Sequence, residues 1–170
     1  FEKIIDKFDF HDSASTLGWG LSDKELFSKL EKVLDDERQP FFSSALTSTN
    51  HHPYEVPSEY KLNKGNSVKH RYQEAIYYTD AMLGGFLNRI TKKKWFENTI
   101  IFITADTSSF QPSEDNPNNF EEYVKLRSQI PLLILLGKNI STGERLDNYL
   151  FRESSSQVDI APTINVLLGL

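Results

Sequence analysis

The sequence predicts an α/β protein, and three observations carry that prediction. "TIIFITAD" at 99–106 and "IPLLILLG" at 130–137 are short apolar runs with no interior charge, as expected of strands buried on both faces. Two longer stretches, at 23–38 and 67–92, repeat their apolar residues at helical spacing. Strands and helices alternate along the chain, so helices packed on a sheet are the natural layering.

Taken in order, residues 1–21 show little periodicity, and "LGWGL" at 17–21 reads as a turn whose glycines allow unusual backbone angles. "SDKELFSKLEKVLDDERQ" follows. Ser22 can cap this helix, and Glu25, three residues on, can reach back to the Ser22 N–H as a capping box. Leu26, Phe27, Leu30, Val33 and Leu34 form its inner face and Pro40 ends it. "PFFSSALTST" at 40–49 reads as a further buried strand, and "NHHPYEVPSEYKLNKGNS" after it as a long loop.

The second helix starts at a Ser67 cap and buries Tyr72, Ala75, Ile76, Thr79, Met82, Leu83, Phe86, Leu87 and Ile90. Gly84 and Gly85 each cost about 1 kcal/mol against alanine in a helix, which predicts a closely packed neighbour. Residues 107–129 are polar, with two prolines, and read as a surface excursion with a helical turn near Phe120–Leu126. "SQVDIAPTINVLLGL" closes the chain as a turn and an apolar helix that Pro162 can start.

The 170 residues, 38% hydrophobic and 25% charged, suffice for one sizeable core, and residues 1–170 are read as a single unit. A net charge of −5, with acids and bases mixed, argues against nucleic acid as a partner. No window has the roughly 20 apolar residues that cross a bilayer. The opening "FEKIIDKFDF" reads as the middle of a longer protein. The absence of cysteine excludes disulfides and thiolate metal ligands and leaves the redox compartment open.

Two places could carry chemistry. Asp106 ends a strand where open α/β sheets bind ligands, and its carboxylate suits a divalent cation; the plainer reading is a helix cap or turn-forming Asp satisfied by the hydroxyls of Thr107 and Ser108. His51 and His52 sit in a loop after the 40–49 run, where either could donate to a phosphate or sulfate oxygen or simply be solvated. His11 and His70 make no motif, and His70 is expected to be exposed. The chain has many hydroxyls but no Gly-x-Ser-x-Gly elbow, Gly-rich phosphate loop or His-x-x-x-His pair.

Five stretches, "WGLSDKELFSKL", "PFFSSALTSTNHHPYEVP", "YQEAIYYTDAMLGGFL", "WFENTIIFITAD" and "SQVDIAPTINVLLGL", resemble in order and approximate spacing the sulfatase-like phosphoglycerol transferases. This is the lipoteichoic acid synthase group of the alkaline phosphatase superfamily. The resemblance implies a three-layer α/β/α fold, of which this chain is the C-terminal portion. Its sheet would use at least 40–48, 99–105 and 130–136, with further strands supplied from upstream. A half-sheet of that kind should expose an apolar edge and pair with its missing N-terminal half or with itself.

The resemblance also implies an extracytoplasmic enzyme of the bacterial envelope, tethered by N-terminal membrane helices. Such an enzyme uses a Thr nucleophile and a divalent cation, commonly manganese, on phospholipid head groups or envelope glycopolymers. The nucleophile and an early acidic ligand would lie upstream, so no catalytic residue is assigned here. His51 of "NHHPY" matches the head-group-binding histidine and His52 its variable neighbour, while Asp106 matches a metal ligand. The family's next ligand is histidine, where this chain has Thr107, a poorer donor. Asp80 and Asp159 match recurrent positions and are read as structural. A chain so altered should be inactive alone; the alternative is a non-catalytic relative that binds a head group, glycan or protein.

Overall fold

The computed structural model describes residues 2–11, 14–62, 65–108, 124, 128–140, 150 and 155–169. Strands β1 (Thr16–Leu17) and β2 (Gly20–Leu21) form a small antiparallel hairpin. Helix α1 (Asp23–Asp36) follows, then α2 (Val68–Ile90), β3 (Ile100–Thr104), β4 (Leu132–Leu136) and α3 (Ile160–Leu168). The expected surface excursion, with its turn near Phe120–Leu126, lies almost wholly outside the described residues.

Helix α1 begins as its sequence predicts, with the Ser22 hydroxyl accepting from the Glu25 N–H. The capping box is only half made, because the Ser22 N–H donates to the Ser15 carbonyl at 2.9 Å instead of to Glu25. Ser67 caps α2 by accepting from the His70 N–H. His70 itself is half-buried and not exposed, with Nδ1 3.0 Å from the Ser67 hydroxyl.

The two long helices pack through Phe27, Leu34, Phe86 and Ile90, with the rings of Phe27 and Phe86 stacked at 5.0 Å. Ile101 of β3, Phe41 and Trp95 close around this cluster. A second cluster joins Val56, Ala75 and Tyr78 to Leu17, Tyr54 and Tyr60. Tyr78 and Glu74 are buried although the apolar pattern omits both, while Ile76 is 43% exposed. Glu74 faces inward because its carboxylate accepts from the Leu62 N–H at 2.7 Å and so ties the preceding loop to α2.

Three expectations are corrected. Residues 40–48 form no strand; Phe42 and Leu46 are 68% and 78% exposed, and the Ser48 hydroxyl donates to the Leu21 carbonyl. Strands β3 and β4 pair antiparallel, Ile100 opposite Leu136 and Thr104 opposite Leu132, in a two-stranded sheet among the described residues. Leu132 and Leu133 are therefore about half exposed and not central. Gly84 has nothing within 4 Å of where a Cβ would stand and Gly85 meets only the Arg89 side chain at 3.5 Å, so no described neighbour explains this pair.

Gly137 shows what a close approach requires. Its N–H donates to the Thr99 carbonyl at 2.8 Å, and a Cβ there would overlap the Phe96 and Glu97 backbone. Glycine thus lets the end of β4 lie against the turn that starts β3.

Candidate functional site

Asp106 stands two residues beyond β3 and is exposed, as is Thr107. Its Oδ1 accepts from the adjacent Thr107 backbone N–H at 2.8 Å, within a bend of the chain. Beside it lies an open groove of about 560 Å³ lined by Thr104, Thr107, Ser108, Ser128, Ser156 and Gln157, among others. Gln157, which sequence reasoning missed, donates from Nε2 to the carbonyls of Ala105 and Asp106 at 2.8 and 3.2 Å. That contact fixes the turn before α3 against the end of β3. The turn itself is locked by Asp159, whose carboxylate accepts from the Ser156 N–H at 2.7 Å, the structural role its sequence position suggests.

Among the described residues that line it, the groove is rich in hydroxyls and has one carboxylate but no imidazole or cationic side chain. Among the described residues no group of three or more His, Asp or Glu could hold a metal ion. Asp106 with Thr107 does not make a cation site by itself, since one carboxylate oxygen is already engaged and a neutral hydroxyl adds little. What the groove can do chemically is orient a polar ligand by hydrogen bonds.

His51 lies elsewhere, outside the groove that Asp106 lines. The two loop histidines diverge, as serial placement predicts. His51 lies against Trp19 with ring centroids 3.9 Å apart, whereas His52 meets Tyr54 edge-on at 5.7 Å. The long loop carrying them is tied down where the histidines sit. The His51 N–H donates to the Ser48 carbonyl at 3.1 Å, and the Tyr54 N–H donates to the His51 carbonyl at 2.9 Å.

The anchor beneath the loop is Asp23, fully buried at the first position of α1. Its two oxygens accept from the hydroxyls of Thr49 at 2.8 Å and Thr79 at 2.6 Å, linking the loop, α1 and α2. The positive end of the α1 dipole adds to the stabilisation of this buried carboxylate. Tyr78 packs beside it, and burial pushes its hydroxyl above the usual tyrosine range despite hydrogen bonds with Ser22 and the Lys24 N–H. In sequence, "SD" before a helical run signals only a helix start; the partner Thr49 lies 26 residues away.

With this geometry in view, the sulfatase family model matches residues 1–170. The chain belongs to the sulfatase family. Among sulfatase-family relatives, lipoteichoic acid synthase-like YvgJ of Bacillus subtilis is 27% identical, over 99% of this chain and 29% of its own length. The lipoteichoic acid synthase of Staphylococcus saprophyticus is 28% identical, over 89% of this chain and 24% of its own. This sulfatase-family chain therefore spans less than a third of the curated relatives it matches.

Solved structures agree on the fold. An alkaline phosphatase superfamily protein from Vibrio parahaemolyticus superposes with a TM-score of 0.63 at 28% identity, covering 81% of this chain and 33% of that one. The lipoteichoic acid synthase LtaP from Listeria monocytogenes gives 0.64 at 20% identity, covering 81% and 38%. The mixed helices and small sheets described above are thus part of an α/β fold of the alkaline phosphatase superfamily.

Proposed function

We propose that this chain is the C-terminal portion of an extracytoplasmic phosphoglycerol transferase, or of a related metal-dependent phosphoesterase or sulfatase, of the bacterial envelope. The observation that carries the reading is the sulfatase match over the whole chain together with lipoteichoic acid synthases among its relatives. In this reading His51 binds the substrate head group, a phospholipid or glycopolymer phosphoester. Asp106 stands at a position that contacts the divalent cation, manganese in this reading, with the other ligands and the nucleophile supplied by the rest of the domain.

Thr107 supports a second reading, in which a relative that has lost its cation keeps the fold to bind a head group, glycan or protein partner. A threonine hydroxyl neither matches imidazole as a donor nor has its reach. Titration calorimetry with manganese on this chain, on Thr107→His and on Asp106→Ala/Thr107→His separates the readings. Binding gained only with the histidine and removed again by Asp106→Ala is the result expected if Asp106 occupies the metal position. Equal, measurable manganese binding by all three proteins would count against that assignment.

A further inference from the structure

Trp19 is the residue whose placement the proposed chemistry has not used. It is 72% exposed at the tip of the β1–β2 hairpin, so it contributes little to either core cluster. Yet the hairpin is built closely against the histidine loop on both sides of it. Gly18, with φ +56°, would place a Cβ 3.2 Å from Pro53 Cδ, and Gly20 would place one 2.8 Å from the Ser48 hydroxyl. The Gly18 N–H donates to Glu55 at 3.0 Å, and the Ser48 hydroxyl donates to the Leu21 carbonyl at 3.3 Å. These contacts leave Trp19 with its indole 3.9 Å from the His51 ring and tilted by 33° to it.

We propose that Trp19 is a positioning residue that holds the His51 imidazole for a phosphoglycerol-type head group; this rests on the head-group reading of His51 given above. His51 Nδ1 lies 3.4 Å from the His52 carbonyl, which can only accept, so the tautomer that uses this contact carries its hydrogen on Nδ1 and keeps Nε2 for the ligand. The neutral ring then accepts at Nε2 from a glycerol hydroxyl, and the imidazolium donates there to a phosphate oxygen. The indole covers one face of the imidazole and limits its rotation, so less ordering is needed on binding.

The test uses the 170-residue chain, glycerol 1-phosphate as probe, and nuclear magnetic resonance of the histidine ring protons, with His51→Gln to assign them. In the unaltered protein the indole ring current displaces the His51 ring signals. Trp19→Ala abolishes the displacement and weakens glycerol 1-phosphate binding about tenfold. Trp19→Phe restores part of both, and the urea midpoint stays unchanged because the side chain is exposed. Unmoved His51 signals in Trp19→Ala overturn the proposal, and so does a lost displacement with binding intact. If the unaltered chain gives no binding, or if His51→Gln does not weaken it, the head-group reading itself fails and takes the proposal with it.

Discussion

Asp23 shows how a single side chain can organise a site it does not enter. A carboxylate with no solvent exposure is tolerated because two hydroxyls and a helix N-terminus replace its water. Asp23→Ala leaves the hydroxyl of Thr49, itself only 2% exposed, without its acceptor. The expected cost is about 3 kcal/mol of stability, read as a lower urea midpoint. Thr49→Val should cost roughly half as much, because Asp23 keeps Thr79. A near-zero effect of Asp23→Ala would mean that the loop carrying His51 is anchored by its backbone alone. Of the candidate site residues, Asp106 stands out in the sequence by its strand-end place and His51 is set apart from His52 only by the family resemblance, whereas Trp19, Asp23 and Gln157 act through partners distant in the chain and leave no local pattern.

Among the elements, the α1–α2 pair carries an electrostatic seam that matters for pH. Arg89 bonds Glu31 at 2.6 Å, and Lys93 bonds Asp35 at 2.7 Å while the Trp95 indole N–H donates to the same carboxylate at 2.9 Å. The Arg89 hydrogen bond holds Glu31 below its ordinary pKa, and the bonds from Lys93 and then Trp95 hold Asp35 below its own. Both folded values lie below the reference values of 4.5 and 3.8, so their contribution is fully present above about pH 4.5. It is lost as the pH falls through the depressed folded values. Urea midpoints measured from pH 7 downward should therefore drop on the acid side, and drop less steeply in Glu31→Gln/Asp35→Asn. The contribution is modest because the seam is partly solvated. Parallel acid limbs for the two proteins would show that other carboxylates control the transition.

Helix boundaries in this pair were readable because capping is local: Ser22 and Ser67 each bond within one turn. The 40–49 run was not readable in the same way. Its apolar residues suit a strand, but a strand exists only if a partner lies alongside, and here Ser48 and Thr49 bond Leu21 and Asp23 with their side chains while Phe41 packs on Trp95 at 5.9 Å. The same dependence on partners explains Tyr78 and Glu74, polar-tipped residues drawn inside by hydrogen bonds that no helical period encodes.

At the scale of the whole molecule, the described β3–β4 sheet has only two strands, and apolar surface accompanies it. Leu132 and Leu133 on β4 are 44% and 49% exposed, and Val166 and Leu168 on α3 are 78% and 57% exposed. Surface of this kind favours pairing with another chain or with the remainder of a larger sheet. Light scattering over a concentration series should show reversible self-association of the 170-residue chain, and a strictly monomeric species throughout would argue that this surface is covered.

The α/β class, the two capped helices, the β3 and β4 runs and the resemblance that the family match bore out were all determined by the sequence alone. They depend on periodicity, capping and ordered motifs, which act over a few residues or survive as a pattern. The tertiary structure alone decided that β3 and β4 run antiparallel, that 40–48 makes no strand, and that Trp19 lies on His51 above an anchor at Asp23. Those outcomes depend on which distant groups meet, and a hydrogen bond or ring contact across the fold has no counterpart in local sequence.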